Sequence, residues 1–119
     1  MPYFHSWQQL PAVEVVPGDL VSSLTGDGLQ LIKATMAAGL DFGLHSHEAE
    51  QFLLVLSGAL HFVVGDEEST VEAGGVIHVP SGVPHGGRTH PTQGAVTLEI
   101  FAPPREDFRD LRPGGLTYT

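Results

Sequence analysis

Apolar and polar residues alternate along this chain in short stretches, each closed by glycine, proline or a small acidic turn. Val13 to Val16 reads as a strand ending at Pro17 and Gly18, and Asp19 to Thr25 as a second. Gly26-Asp27-Gly28 then marks a hairpin, because the residues at such a turn need backbone angles that glycine supplies at least cost. Leu29 to Met36 alternates only loosely, and the glycines on both sides favour a strand over a helix. Phe52 to Leu56 is apolar at every position, the pattern of a strand lining a core on one face and covered on the other. Gly58 separates that strand, predicted to end at Ser57, from another over Ala59 to Val64. After the turn at Gly65 to Glu68, further strands are expected at Ser69 to Glu72, Val76 to Val79, His85 to Thr89 and Ala95 to Phe101. Pro103 and Pro104 end the last strand, Glu106 to Leu111 forms one short helical turn, and Pro113 to Gly115 is tail. Strands recurring every 8–12 residues or so with turn signals between them indicate an all-β sandwich or barrel.

Length and composition narrow this picture. A chain of 119 residues suits one domain spanning 1–119. Its 41% apolar and 16% charged residues describe a globular chain, not a disordered one. With no cysteine there are neither disulfides nor thiolate metal ligands. The Phe52 to Leu56 run is too short to span a membrane, and the first residues lack the basic start and apolar stretch of a signal peptide, so a cytoplasmic protein is expected. The net charge of −9 and the scatter of Lys33, Arg88, Arg105, Arg109 and Arg112 exclude a nucleic-acid footprint. An anionic small molecule stays compatible, since a cation with neutral ligands and one or two arginines make a cavity locally positive.

The candidate chemistry sits in two stretches. His45 and His47 stand one residue apart, which puts both on one face of an extended strand. Gln51 shares their parity but is too far along a straight strand to reach the same ion, so Glu48 to Glu50 must turn the chain and bring Gln51 back on the next strand. Glu48 and Glu50 have the wrong spacing for ligands and read as solvated turn carboxylates, Glu50 being the substitute if the register slips by one. Further on, Pro80, Gly82 and Pro84 make a tight corner and deliver His85, which completes a set of three imidazoles and one amide. These stretches resemble the two motifs of the cupin superfamily, the first through Gly39, His45, His47, Gln51 and Gly58, the second through Gly74, Pro80, Gly82 and His85. Gln51 stands where that superfamily usually has glutamate, and Thr89 where it usually has asparagine. The resemblance implies a double-stranded β-helix of jelly-roll type holding one divalent transition metal, with Zn, Ni, Fe and Mn all compatible with imidazole ligands.

A third stretch bears on the reaction. Glu99 and Phe101 share a face of the last strand, and an inward face would put a carboxylate and a ring into the cavity. With Pro103, Arg105, Glu106, Asp107 and Phe108 they resemble the ending of small cupins that open 4,5-unsaturated uronates, except that Glu99 replaces that group's aspartate. The resemblance implies a metal-dependent lyase or isomerase acting on a uronate-like or carbonyl substrate. Glu99 would carry the proton, Arg88 or Arg105 would hold the substrate carboxylate, and Phe101 would contact the substrate. His61 and His78 stand inside strands, either as satisfied core residues or as cavity-lining groups that contact substrate. A dioxygenase of flavonol or diketone type and a non-catalytic ligand-binding cupin are the alternatives. The apolar outer face of Phe52, Leu54 and Leu56 implies a homodimer.

Overall fold

The structure, a computed structural model, describes residues 3–114; Met1, Pro2 and the tail from Gly115 onward lie outside the described residues. Its strands are β1 (Val13–Val16), β2 (Asp19–Thr25), β3 (Gln30–Met36), β4 (Asp41–His45), β5 (Glu50–Val64), β6 (Glu67–Glu72), β7 (Val76–Val79), β8 (His85–Thr89) and β9 (Ala95–Ala102), followed by the one-turn helix α1 (Glu106–Arg109). All pairings are antiparallel and run in the order β1-β2-β3-β9-β5-β8-β4, with β6 and β7 also on β5. The sheet curls into the jelly roll that the cupin resemblance implies.

The main departure from the sequence pattern is β5. Two strands parted by Gly58 were expected, and one strand of 15 residues is found. Its first half pairs with β7 and β9, its second with β6 and β8, so this one strand belongs to both layers. The crossing falls where the register against β9 shifts between Val55 and Ser57. Gly58 follows at φ 74°, where a Cβ would lie 2.1 Å from the Gly94 carbonyl oxygen. The glycine therefore bends the strand instead of ending it, since only a residue without a Cβ allows that approach.

Side chains alternate between the two faces as the strand period requires. Val21, Ile32, Ala34, Leu53, Val55, Leu60 and Phe101 point inward and are at most 2% exposed. Each large apolar side chain so buried contributes about 1.5–3 kcal/mol. At Gly86 a Cβ would come within 2.9 Å of the Phe42 and Gly43 carbonyl oxygens. Its absence lets β8 lie against β4 with His85 opposite His45. Thr89, at the position where the motif usually has asparagine, closes the neighbouring turn. Its hydroxyl donates to Ala37 O at 2.7 Å and accepts from Leu40 N at 2.9 Å. Among the described residues no helix is long and apolar enough to cross a membrane.

Candidate metal centre

His45 ends β4, His47 follows in the bend through Glu48 and Ala49, Gln51 is the second residue of β5, and His85 opens β8. The two histidines of the first motif thus do not share one strand, as their spacing had implied, because β4 stops at His45. The turn that follows still brings Gln51 back to them. One ligand atom from each of His45, His47 and His85 lies within 4.8 Å of the others, so the three imidazoles are placed to hold one ion.

Each ring is oriented by a backbone carbonyl two residues away. Nδ1 of His45 donates to Gly43 O, that of His47 to Ala49 O and that of His85 to Val83 O, each at 2.8 Å. In this tautomer every Nε2 carries a lone pair. His85 is 1% exposed, and its Nε2 is buried with no hydrogen-bond partner. Burial pushes its pKa down to about 4, and the neighbouring His45, His47 and Arg105 push it the same way. Burial and then Arg105 also lower the pKa of His47. The rings of His47 and His85 therefore resist protonation at neutral pH.

Gln51 adds the decisive contact. Its Nε2 donates to Glu99 Oε1 at 2.7 Å, which turns its Oε1 toward His47 Nε2, 3.1 Å away. With the ring proton on Nδ1, that contact sets one lone pair against another. A cation shared by both atoms would remove the conflict. The donor set fits a divalent transition ion with four neutral ligands.

Glu99 stands beside this set on β9. Its Oε2 accepts from Thr97 Oγ1 at 3.1 Å. Burial, with Asp19 adding to it, raises the carboxyl pKa to about 7, against the opposing pull of Thr97, Arg105 and Gln51. Part of the residue stays accessible, and it lines a cavity of about 40 Å³ together with His45, Gln51, His85, Asp19 and Arg105. Arg105 closes the mouth. Its Cζ lies 5.4 Å from the Phe101 ring centre and 4.7 Å from that of Phe108, while its Nε and Nη2 donate to the two Asp107 carboxylate oxygens at 3.1 and 2.6 Å. Outside it, a groove lined by His47, Glu48, Pro103 and Pro104 shares Arg105 with the cavity. Phe101 is fully buried and meets His47 edge-on at 5.6 Å, so it packs against the ligand shell.

Three residues expected at the site lie elsewhere. His61 sits between the buried Leu60 and Phe62 and therefore points outward, where it bonds to Thr70 and Glu68. His78 lies between the buried Ile77 and Val79, points outward, and bonds to Glu50 at 2.8 Å. That same pairing keeps Glu50 off the metal centre. Arg88 is exposed and stands in register with Asp41 and His61 on the outer face of β8. Strand parity excludes all three from the cavity. Conversely, Asp19 (3% exposed) and Gln30 (fully buried) were not singled out in the sequence. Their signal is polar identity at inward parity, Asp19 in step with Val21 and Gln30 with Ile32 and Ala34.

The family model described as Cupin domain matches residues 32–101. A comparison with curated protein sequences gives no significant match. Among solved structures, the fold is similar to an RmlC-like cupin from Shewanella frigidimarina, with a TM-score of 0.83, 28% identity, and 91% of this chain and 96% of that chain covered. It is also similar to KdgF from Halomonas sp., with a TM-score of 0.82, 20% identity, and 90% and 98% covered. Oxalate decarboxylase from Bacillus subtilis, whose Mn(II) centres have been characterised, matches with a TM-score of 0.73 and 20% identity over 83% of this chain and 29% of that one.

Proposed function

The chain belongs to the cupin family, and from that premise we propose that it is a metal-dependent lyase or isomerase acting on a small uronate-like or carbonyl acid. The observation that carries this reading is the amide of Gln51, whose oxygen faces the histidine cluster and whose nitrogen holds Glu99. The ligand shell and the proton carrier are thereby joined through one side chain.

His45, His47, His85 and Gln51 would hold one divalent transition ion, which would supply Lewis acidity at the cavity. All four ligands are neutral, so none of them offsets the ion's charge. In the metal-free chain burial and Asp19 raise the Glu99 pKa to about 7, so this carboxyl takes up and gives back a proton more readily near neutral pH than an exposed one does. It would take the proton of the hydroxyl on the carbon beside the ring oxygen; that carbon becomes a carbonyl as its bond to the ring oxygen breaks, and the proton is returned to the alkene carbon of the enol so released, which becomes a ketone. Arg105 keeps N–H donors beyond the two that Asp107 engages, and these meet the substrate carboxylate at the mouth. The cavity of about 40 Å³ takes only the reacting end, so the rest of a uronate ring extends past Arg105 into the outer groove.

The test is direct. The protein, loaded with the metal identified by elemental analysis and mixed with 4,5-unsaturated galacturonate or guluronate, should speed the loss of the alkene absorbance. Glu99→Gln should slow it by about 100-fold, the lower end of what a positioned acid–base group contributes. Metal-replete wild type no faster than buffer removes this substrate class. The exposed Phe52, Leu56 and Val76 (46, 46 and 60%) on one outer sheet face support a homodimer joined through that face.

A further inference from the structure

The residue proposed to meet the substrate carboxylate stands on a segment that no strand supports. β9 ends at Ala102 and α1 begins at Glu106, leaving Arg105 between them. Its guanidinium is fixed relative to α1 by the fork with Asp107 and by stacking on Phe108, which is 4% exposed. Phe108 and the guanidinium pack on Phe101 of β9, and the hydrogen-bonded tie from this cap to the barrel wall is a side chain from a different strand. Gln30, the first residue of β3, donates from Nε2 to Arg105 O at 3.0 Å and accepts at Oε1 from Arg105 N at 3.1 Å. One amide thus grips both peptide groups of one residue, as a neighbouring strand would. A second Nε2 bond, to Thr25 Oγ1 at 3.0 Å, holds the amide in its plane.

We propose that Gln30 is a positioning residue: its buried amide, steadied by Thr25, sets Arg105 at the cavity mouth and thereby sets how well the site prefers an acid over its neutral counterpart. The argument is geometric. Gln30 is 0% exposed and faces Phe101 across the β3–β9 ladder, so it is anchored in the rigid wall. Two bonds to the backbone of one residue fix the orientation of Arg105 as well as its distance, which a single bond does not. Arg105 O has one other partner, Phe108 N at 3.3 Å, and that bond lies within the cap and does not tie it to the barrel. Loss of the amide therefore leaves the cap intact but able to shift, and displacements of about 1 Å at a binding group cost up to about 100-fold in rate. A buried glutamine with its donors and acceptor used this fully is also costly to place unless the bonds form, which accounts for a polar residue at an inward position.

The inference rests on the reading of Arg105 as the carboxylate-binding group, and the experiment separates the two. Metal-loaded wild type, Gln30→Met, Arg105→Ala and the double variant are titrated calorimetrically with galacturonate and with galactose, and metal stoichiometry is measured in each. Amide exchange over residues 105–109 is followed in parallel. Gln30→Met should weaken galacturonate binding about tenfold, leave metal content and galactose binding unchanged, and speed exchange over 105–109. The double variant should bind galacturonate no more weakly than Arg105→Ala. Unchanged exchange in Gln30→Met overturns the proposal, as does faster exchange with unchanged galacturonate affinity, or losses that multiply in the double variant. Wild type that binds galacturonate no better than galactose removes the role given to Arg105, while the exchange data still decide whether Gln30 holds the cap. Should Gln30→Met not fold, Thr25→Val removes the steadying bond alone and should reproduce the pattern at about threefold; no change there overturns the proposal as well.

Discussion

Replacing Glu99 by glutamine should make the metal-free protein more stable, by an amount that depends on pH in a defined way. In the folded chain burial, reinforced by Asp19, lifts the Glu99 pKa from 4.5 to about 7. The folded state therefore holds this proton more tightly than the unfolded chain does. Below pH 4.5 the group is neutral in both states and costs nothing. Between pH 4.5 and 7 the folded state binds more protons than the unfolded, so stability falls as pH rises, and above pH 7 the full cost is present. At 1.36 kcal/mol per pKa unit the cost reaches about 3 kcal/mol. Glutamine keeps the size of the side chain and an oxygen to accept from Gln51 but has no charge to desolvate. Glu99→Gln should thus gain up to about 3 kcal/mol at pH 8 and almost nothing at pH 4. For a domain of this size that is a rise in Tm of about 10 °C at the higher pH. The buried imidazoles of His47 and His85 act in the opposite direction. His85, with its pKa depressed from 6.5 to about 4, stabilises the fold above pH 6.5, and that contribution is lost as pH falls. The quantity to measure is therefore the difference between variant and wild type, from urea unfolding followed by circular dichroism in chelator at pH 4, 6 and 8. A difference that is flat across this range, or largest at pH 4, would refute the assignment of Glu99 as a buried carboxyl held near neutrality. A difference that grows with pH would show that the proposed proton carrier is kept at a cost to the fold, as expected of a group retained for its chemistry.

The ligand set makes sharp predictions of its own. Gln51→Glu should tighten divalent metal binding by adding a carboxylate while lowering activity on an acid, Gln51→Ala should lower both, and His85→Ala should lose more metal than either because imidazole is the stronger ligand for first-row ions. Unchanged stoichiometry in both Gln51 variants, read by metal titration, would place that residue outside the centre. If the exposed face around Phe52 and Leu56 joins two copies, light scattering should give twice the 12.7 kDa chain mass for wild type and the monomer mass for Phe52→Asp with Leu56→Asp. A monomeric wild type removes the dimer.

Much of the fold is written locally. The bounds expected for β1, β2, β7 and β8 coincide with those found, because glycine, proline and acidic turns close each apolar stretch and strand formation there depends on near neighbours. Gly58 misled for an instructive reason. A glycine between two apolar runs signals a break when the partner strands are unknown, and only the approach of Gly94 shows it to be a bend within a single strand. His61, His78 and Arg88 misled in the same manner, since periodicity tells which residues share a face but not which face is inward.

What the sequence determined by itself is therefore the inventory: short strands, turns, three imidazoles and an amide spaced so that a chain reversal can gather them, and a carboxylate in step with a phenylalanine. Which faces close on one another was decided only in three dimensions, by β5 serving both layers and by the pairing of β3 with β9. That pairing sets Gln30 opposite Phe101 and within reach of Arg105, 75 positions later. The lone-pair conflict between His47 and Gln51 likewise exists only once Glu99 turns the amide. The physical reason is range. Strand and turn preferences act over a few bonds and can be read along the chain, whereas burial, shifted pKa values and ligand geometry arise from atoms that are close in space and distant in sequence.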